Sequence, residues 1–273
     1  LQFDKNNNVL YARNRYAEES SYMINYVSSS EKINSYTGDK KFFLEKGGLD
    51  NPQGLNKVNL NRENSIGKQA CIAYEVEVEL ESYSTKEISF VLGSDEKLID
   101  CKNTAYKYQK IANCKQELTE VKNQWKERLN RLQVYTPLES TNILLNGWLV
   151  YQTITSRLLG RSGYYQSGGA YGFRDQLQDT LALKYINPEY LKNQIIKHSK
   201  HQFIEGDVEH WWHDETGRGI RTRFSDDLLW LPYLVLEYIK FTGDESILEI
   251  ETPYIEGKEL EDGQDERYDK YPE

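Results

Sequence analysis

The amino-acid sequence predicts an antiparallel β-sandwich, then a helical linker, then a domain built of helices. Three observations predict this order. Over residues 70–82, written ACIAYEVEVELES, apolar and charged residues alternate as in a half-buried strand. From about Asn103 the apolar residues recur at intervals of three and four, which is the period of a helix. Beyond Pro137 the chain consists of helix-like segments joined by long polar loops. The predicted domains are therefore 1–100, 101–136 and 137–273.

The sandwich is predicted to contain further short strands around residues 9–15, 22–27, 41–45 and 87–92. Clusters of Gly, Asn, Asp and Ser separate these runs, and such clusters are typical of turns. Short strands joined by turns favour an antiparallel arrangement of two packed sheets.

The linker helix carries a narrow apolar stripe, which is typical of a helix that lies on the surface and bridges two domains. After Pro137, Ser140 or Thr141 is placed to cap a new helix. The apolar residues of that helix lie on more than one side, so we expect it in a core. The linker stripe consists of Leu118, Val121, Trp125, Leu129 and Leu132.

Three further helices are predicted in the last part of the chain. The first covers residues 173–186, and the second starts at Pro188 and ends near His201. The third is capped by Ser225 and ends at Gly243. The polar sequence between these helices is predicted to form loops, as is the charged end of the chain.

The composition excludes several classes of protein. The formal net charge is −9, and residues 251–273 hold nine acidic against three basic side chains. An acidic surface repels a phosphate backbone, so we expect no nucleic-acid partner. The sequence has no apolar run of about 18 residues and no apolar leader, so we expect neither a membrane segment nor an export signal. Three widely spaced cysteines, Cys71, Cys101 and Cys114, argue against a disulfide framework and favour a cytoplasmic location.

Two sequence blocks are rich in the residue types that bind sugars. They are SGGAYGFRDQLQDT (167–180) and HQFIEGDVEHWWHDETGRGIRTRFSDD (201–227). Carboxylates and guanidinium groups bond to pairs of hydroxyl groups, and flat aromatic rings pack against the C–H faces of a sugar. The candidate substrate-binding residues are Arg174, Asp175, Asp179, Trp211, Trp212, Arg221, Arg223 and Asp227.

In the first block, Asp175 and Asp179 are four residues apart and share one helix face. Two carboxylates at that spacing repel each other unless a group between them uses both. One interpretation places Arg174 and Asp175 in a polar cleft that binds substrate. The other is that they stabilise the helix start and form ordinary salt bridges.

All four histidines lie close together, as His198-x-x-His201 and His210-x-x-His213. Such clusters can bind zinc, but no cysteine accompanies these histidines and the HExxH arrangement is absent. We therefore expect no metal and no other cofactor. His210 or His213 either belongs to a polar site or is structural, and His198 and His201 could form an exposed helical face.

In the second block, Gly217 and Gly219 lie among arginines and predict a flexible, cationic loop ahead of the helix that Ser225 caps. Backbone N–H groups and guanidinium groups of such a loop can hold phosphate. Alternatively, Asp226 and Asp227 neutralise the arginines at the helix start. The arginines are Arg218, Arg221 and Arg223.

The motifs AYGFRDQLQDTLAL, HQFIEGDVEHWWH and GIRTRFSDDLLWLPY occur in this order, followed by TGD, PYIEG and DERYDK. Together they resemble the glycoside phosphorylase family of cellobiose and chitobiose phosphorylases. Among its branches, the β-1,2-oligoglucan phosphorylases and the phosphorylase-like domain of cyclic β-1,2-glucan synthases look nearest. The resemblance is strong over residues 164–273. It implies a β-sandwich, a helical linker and an (α/α)6 barrel, of which residues 137–273 form the first part.

The resemblance also implies phosphorolysis with inversion, in which a carboxylic acid protonates the glycosidic oxygen while phosphate attacks the anomeric carbon. The product is α-glucose 1-phosphate. In this interpretation Arg174 and Asp175 match the family's Arg-Asp pair and hold the transferred sugar, with Asp179 close by. The implied partners are a β-glucan or oligosaccharide, inorganic phosphate as co-substrate, and a second copy of the chain.

The sequence departs from the family pattern at the general acid. The family carries this acid in a later Asp-Trp-Asn-Asp motif, and that string does not occur here. The family's phosphate-binding His and Thr-Gly pair also fall further along. We therefore expect the acid beyond Glu273, expect both ends of the chain to be truncated, and expect this chain alone to be inactive.

Two other functions stay open on the sequence. A helical-barrel glycoside hydrolase would use carboxylates among Asp207, Asp226 and Asp227 with water, and would release glucose without phosphate. A carbohydrate-binding module would carry its ligand on the sandwich, so binding would survive deletion of everything after Pro137.

Overall fold

The chain folds into two units, Leu1–Val121 and Lys122–Glu273. The structure is a computed structural model and describes residues 1–16, 20–67, 69–162 and 168–272. Ser167, the first residue of the candidate sugar-binding block, and Glu273 lie outside the described residues. The predicted domain limits at residues 100 and 136 stay predictions.

The first unit contains two antiparallel sheets. A four-stranded sheet has the order β1-β2-β3-β6, and β4 pairs with β5 in a second, two-stranded sheet. Four of the five predicted strands, around residues 9–15, 22–27, 70–82 and 87–92, are therefore present in this unit. The strands are β1 (Gln2–Asp4), β2 (Val9–Ala12), β3 (Ile24–Ser29), β4 (Ile33–Asp39), β5 (Ala70–Val76) and β6 (Phe90–Asp95).

Strand β5 confirms the first half of the alternating segment. Ile72, Tyr74 and Val76 pack against a core formed by Leu10, Val27 and Ile33. The strand ends at Val76, so the alternation predicted through Leu80 runs too far. Beyond the strand, the Leu80 side chain is mostly exposed.

The strand predicted at residues 41–45 is wrong, because a short helix, α1 (Lys40–Leu44), occupies this stretch. The carboxylate of Asp39 accepts hydrogen bonds from the backbone N–H groups of Lys41 and Phe42 at 2.9 and 3.1 Å, which starts the helix. Strand β4 directly precedes it and was not predicted. Its inward positions include Ser35 and Thr37, both fully buried, so it lacks the apolar alternation of a typical strand.

Two helices follow β6, α2 (Leu98–Tyr108) and α3 (Ile111–Asn130). Helix α2 packs the buried Cys101 and Ala105 against Val9, Ile24 and their neighbours on β2 and β3. The boundary between the two units falls within α3.

The second unit begins with a continuous helical stretch of mixed geometry. It consists of α4 (Glu139–Ile143), a π-helical segment Leu144–Trp148, α5 (Leu149–Gln152) and a second π-helical segment Thr153–Leu159. The expected core position holds for its C-terminal part, where Ile154 and Leu158 are buried. The N-terminal part differs from that expectation, since apolar side chains such as Ile143 and Trp148 are more than half exposed.

The other helices of this unit lie close to their predicted positions. They are α6 (Phe173–Leu183), α7 (Glu189–Ser199) and α8 (Asp227–Thr242). The predicted end of α8 is confirmed, because Gly243 adopts the left-handed conformation with φ of 73°. The predicted cap Ser225 is wrong by one residue, since Asp226 occupies the N-cap position. None of the helices in the described part of the chain is long and apolar enough to span a membrane.

An antiparallel sheet replaces loops that were predicted between and after these helices. Its strands are β7 (Tyr171–Gly172), β8 (Glu209–His213), β9 (Arg218–Thr222) and β10 (Glu266–Lys270), in the order β10-β9-β8-β7. The prediction of a wholly helical domain after Pro137 is therefore wrong. Strand β9 escaped detection because four successive residues are buried, one of them Arg221, and no period of two results.

Helices α6, α7 and α8 enclose the main core of the second unit together with β8. Because the sheet contributes the large side chain of Trp212 to this core, strand and helices are packed as one body. The buried residues of the core are Phe173, Leu177, Leu191, Ile195, Val208, Trp212, Leu231, Leu234, Tyr238 and Ile247.

Replacement of a central core residue should destabilise the chain far more than replacement of an exposed one. Leu177→Ala should lower the free energy of unfolding by about 2–5 kcal/mol, because Leu177 is fully buried and the change leaves a cavity. Leu236→Ala removes the same atoms from a side chain that is more than half exposed, and should cost less than about 1 kcal/mol. Chemical denaturation followed by circular dichroism measures both values. Equal losses would contradict this description of the core.

Candidate functional site

The N-terminus of α6 places Arg174 and Asp175 at the edge of the sheet. Strand β7 leads directly into this helix, and the backbone N–H of Gly172 donates to Oε1 of Gln176 at 2.6 Å. Asp175 lies in the first turn, where the helix dipole stabilises a negative charge. Its side chain remains half exposed and available to solvent.

Arg157 lies between the two aspartates that were predicted to share one helix face. Its Nε donates to Oδ2 of Asp179 at 2.6 Å, and its Nη2 donates to Oδ2 of Asp175 at 3.3 Å. The guanidinium also donates to the carbonyl of Ser162 at 3.2 Å. The repulsion expected between the carboxylates is thus relieved by an arginine of the same chain.

Sequence reasoning missed Arg157, although a signal was present. It is the only charged residue between positions 140 and 159, in a stretch that otherwise contains apolar and neutral polar side chains. A single charge on such a helix requires a partner when the helix packs.

Burial and pairing oppose each other at this contact. Burial raises the pKa of Asp179, and the hydrogen bond from Arg157 offsets only part of that effect. For Arg157, burial lowers the pKa of the guanidinium, but the bonds to Asp179 and Asp175 outweigh it and the pKa is raised. Arg157 therefore keeps the pKa of Asp179 lower than burial alone would set it.

Arg174 connects this group to the start of α8. Its Nη1 donates to Oδ2 of Asp226 at 3.0 Å, and its Nε lies 3.8 Å from Oδ1 of Asp175. The hydrogen bond with Asp226 raises the pKa of Arg174, and the charge of Asp227 contributes to the same shift. Arg174 therefore forms ion pairs of the kind that the alternative interpretation expects, and its place in a substrate cleft stays a prediction.

Next to Asp226, Asp227 forms a short hydrogen bond with a histidine. Nδ1 of His210 lies 2.6 Å from Oδ2 of Asp227, which is 2% exposed. The imidazole also stacks on the ring of Phe224, with the centroids 4.7 Å apart. These contacts complete what we call the arginine–aspartate cluster, defined as Arg157, Arg174, Asp175, Asp179, His210, Asp226 and Asp227.

The two tryptophans point to opposite faces of β8, as successive residues of a strand do. Trp212 is buried in the core, where His201 and Tyr171 stack on it at centroid distances of 3.8 and 5.4 Å. Trp211 is half-buried and contacts Tyr268. In the β7–β8 pair Trp211 lies opposite Gly172, two residues before Arg174. Of the two indoles, Trp211 is therefore the one that is partly exposed, and its place in a sugar site stays a prediction.

Arg221 is 2% exposed and belongs to a strand, so the predicted flexible phosphate loop is wrong at this position. Its Nε and Nη2 donate to the two carboxylate oxygens of Asp207, both at 2.6 Å. Nη2 also donates to Glu205 at 3.0 Å, and the guanidinium lies over the ring of Phe203. This bidentate, buried pair joins β9 to the segment before β8 that carries Asp207. A contact between Arg221 and a ligand stays a prediction, and the bonds to Asp207 and Glu205 argue against it.

Arg223 is also engaged by the protein itself. It donates to the backbone carbonyl groups of Leu260, Glu261 and Gln264 at 2.9–3.2 Å. It therefore ties the acidic segment before β10 to the end of β9. Neither Arg221 nor Arg223 directs its guanidinium to the partners of Arg174. Asp207, a candidate carboxylate of the hydrolase alternative, is held by Arg221. The other two candidates, Asp226 and Asp227, bind Arg174 and His210 instead.

The histidines of the first pair are not an exposed helical face. His198 is fully buried, with Nδ1 2.8 Å from the carbonyl oxygen of Gln194, and burial lowers its pKa to about 4. Nδ1 of His201 lies 2.7 Å from Oε2 of Glu209. His213 packs edge-on against Trp211. Within the described ranges, no group of three or more His, Cys, Asp or Glu side chains is arranged to hold a metal ion.

The His201–Glu209 contact is buried, and burial disfavours the charged form of both groups. Burial raises the pKa of Glu209 to about 8 and lowers the pKa of His201 to about 3, because neither charge is solvated at this position. The pair lies beside a cavity of about 660 Å³ between α7 and the turn after β8. A Cβ atom on Gly219 would overlap the Glu209 carboxyl group and lie 2.6 Å from the carbonyl oxygen of Trp211. Glycine is therefore required opposite this pair.

Comparison with known protein families gives two matches that follow one another along the chain. The profile described as "Glycosyl hydrolase 94, supersandwich domain" matches residues 1–111. The profile described as "Glycosyl hydrolase 94 superfamily, catalytic domain" matches residues 124–271. The second match contains every residue of the arginine–aspartate cluster.

Individual relatives agree with these matches. The chain is 34% identical to the cyclic beta-(1,2)-glucan synthase NdvB of Rhizobium meliloti (strain 1021), over 98% of this chain and 10% of the relative. It is 24% identical to the N,N'-diacetylchitobiose phosphorylase of Vibrio proteolyticus, over 86% of this chain and 33% of the relative. It is 30% identical to the solabiose phosphorylase of Paenibacillus borealis, over 46% and 15%. The chain thus spans about a tenth to a third of the length of these relatives.

Glu209 should make the stability of the chain fall at alkaline pH. Its pKa is about 8 when folded against an ordinary value of 4.5, so the folded state holds a proton that the unfolded state releases between these values. This contribution is complete below about pH 4.5 and is lost as the pH rises through 8. Glu209→Gln keeps the shape but cannot ionise. Compared with wild type, the variant should gain on the order of 2–4 kcal/mol in unfolding free energy between pH 5 and pH 9.

Denaturant titrations at several pH values test this, with the exposed Glu249→Gln as the matched control. The control should follow the wild-type pH profile. A Glu209→Gln profile parallel to wild type would mean that Glu209 is ionised in the folded chain.

Proposed function

Because the chain belongs to the glycosyl hydrolase 94 superfamily, we propose that it is part of an inverting glycoside phosphorylase acting on β-linked glucose chains. Family membership agrees with the resemblance that the sequence motifs indicate. The observation that carries the proposal is the catalytic-domain match over residues 124–271, which includes the whole arginine–aspartate cluster. Relatives named as chitobiose and solabiose phosphorylases support the reaction type.

In the proposed reaction, an oxygen of inorganic phosphate attacks the anomeric carbon of the terminal glucose. The glycosidic C–O bond breaks, and a carboxylic acid donates its proton to the leaving oxygen. The products are α-glucose 1-phosphate and a glucan shortened by one unit. Phosphate is itself a nucleophile, so the reaction needs no second carboxylate to activate water.

The cluster fits the sugar-binding part of such a site. Arg174 and Asp175 are partly exposed and offer one donor group and one acceptor group to hydroxyls of a bound glucose. Arg157 fixes the Asp175 carboxylate from behind, so the acceptor is oriented before the sugar binds. Preorganised groups of this kind contribute most to catalysis because they need no rearrangement in the transition state.

The β-1,2 linkage is the preferred substrate class in this proposal. The 34% identity to a cyclic beta-(1,2)-glucan synthase covers 98% of the chain, which favours a role on β-1,2-glucans. In that setting the enzyme would shorten glucan chains with phosphate, either as a free phosphorylase or as a domain of a larger synthase.

We also propose that the helices of the second unit form the first part of an (α/α)6 barrel and that turnover requires a longer polypeptide. The curated relatives are about three to ten times longer than the matched chain. The general acid, the phosphate-binding residues and a homodimer contact would belong to that longer protein.

Asp175→Asn in the longer polypeptide should reduce phosphorolysis of β-1,2-glucooligosaccharides by at least about 100-fold, the scale of losing a charged group that acts in the transition state. Release of glucose 1-phosphate is the measurement, and Asp262→Asn, on an exposed turn, is the matched control with expected normal activity. Near-normal turnover of Asp175→Asn would contradict its assignment. Release of free glucose without added phosphate would instead identify a hydrolase.

The 273-residue chain by itself should not release glucose 1-phosphate, because no general acid of the family pattern is present in its sequence. The same assay, with the longer polypeptide as positive control, tests this. Phosphorolysis by the isolated chain would show that a carboxylic acid within it, such as Asp226 or Asp227, protonates the glycosidic oxygen.

A further inference from the structure

His210 ends the arginine–aspartate cluster with one ring nitrogen bound and the other free. Asp227 accepts hydrogen bonds but cannot donate one when ionised, so the 2.6 Å contact places a proton on Nδ1 of His210. Nε2 then has no hydrogen-bond partner among the residues that the structure describes. The imidazole side chain is 33% exposed, so part of the ring is open to solvent.

The imidazole is held in one orientation. Asp227 is almost fully buried in the first turn of α8, where the helix dipole favours its charge. Phe224 stacks against the ring with an interplanar angle of 29°. These two contacts restrict both the tilt and the rotation of the imidazole, so Nε2 points in a fixed direction.

His210 also lies close to the residues that are proposed to hold the sugar. Its partner Asp227, 2.6 Å away, adjoins Asp226 in the chain, and Asp226 accepts the hydrogen bond of Arg174 at 3.0 Å. His210 is therefore linked to the guanidinium group of Arg174 through two neighbouring aspartates.

The charges of the cluster favour a neutral ligand over an anion. The two arginines face four aspartates, so the group has an excess of negative charge when all of them are ionised. Phosphate would be repelled here. A hydroxyl group both donates and accepts, so it can pair with Nε2 in either protonation state of the imidazole, whereas a phosphate dianion only accepts.

We propose that Nε2 of His210 hydrogen-bonds a hydroxyl group of the glucose unit that Arg174 and Asp175 hold, and that Asp227 positions the imidazole for this contact. The inference rests on the proposed phosphorylase function and adds a substrate-binding residue to it. It assigns the His210–Asp227 dyad to the sugar and not to phosphate.

Two amide substitutions separate a contact with the sugar from a structural role. Asparagine places its amide near the position of Nδ1, so His210→Asn can keep the bond to Asp227 but loses the outward group. Glutamine reaches the position of Nε2, so His210→Gln can keep the outward group but loses the bond to Asp227. Both variants are made in the longer polypeptide. The measured constants are KM for a β-1,2-glucooligosaccharide, KM for inorganic phosphate, and kcat of the reaction with both substrates saturating.

The proposal expects His210→Asn to lower kcat/KM for the oligosaccharide by about 10- to 100-fold, the cost of one lost hydrogen bond to an oriented group. KM for phosphate should stay within about twofold, and His210→Gln should retain more activity on the oligosaccharide than His210→Asn. Thermal unfolding of each variant identifies a loss that comes from misfolding, because a misfolded variant would also unfold at a lower temperature than wild type.

Four results would overturn the inference. If His210→Asn is fully active and His210→Gln is not, the bond between residue 210 and Asp227 matters and the outward group does not, so the role of the dyad is structural. A raised KM for phosphate with an unchanged KM for the oligosaccharide would move His210 to the phosphate. A wild-type polypeptide that forms no glucose 1-phosphate would overturn the proposed function itself, whereas wild-type turnover with normal variants overturns only the role of His210.

Discussion

The buried indole of Trp212 fixes the arrangement on which the rest of the second unit depends. His201 and Tyr171 stack on its ring, and its Nε1 donates to Asp214 at 2.8 Å, so the indole joins the helix α7 region to β7 and β8. Successive side chains of a strand point to opposite faces of the sheet, so burial of Trp212 directs its neighbour Trp211 to the other face. Trp211 therefore lies away from the core, opposite Gly172 and next to the helix start that carries Arg174. Core packing thus determines which tryptophan is buried and which is partly exposed.

Arginines in this unit act in two different ways, and burial distinguishes them. Arg221 is enclosed, and its hydrogen bonds to Asp207 and Glu205 hold segments of the same unit together. Arg174 is half exposed, and among the described residues its hydrogen bond goes to the half-exposed Asp226, so this ion pair contributes little free energy. Arg157 is intermediate, because it relieves the repulsion between two carboxylates while leaving one of them partly accessible. The residue type is the same in all three cases. The roles differ because the protein itself occupies a different number of N–H groups on each guanidinium.

The sequence was informative where one face of an element is apolar and uninformative where polar groups are buried. The helices α6, α7 and α8 and the strand β5 have clear periods and were predicted. Strands β4 and β9 place Ser35, Thr37 or Arg221 inside, so their patterns do not alternate. At the candidate site, Arg174 and its neighbouring aspartates could be named from motif and spacing. The partners of Arg221 could not, because they lie 14 and 16 residues away along the chain and meet it only in the folded state.

The acidic end of the chain, predicted as loop, forms the edge strand β10. It pairs with β9 along its whole length, from Glu266 opposite Thr222 to Lys270 opposite Arg218. Its outer side carries exposed charged residues, a composition that discourages further strands from adding to a sheet. Without this segment the edge of β9 would be uncovered, and its unpaired backbone groups would be free to bind a strand of another molecule. The charged side chains of this strand, two acidic and two basic, therefore disfavour edge-to-edge pairing between molecules.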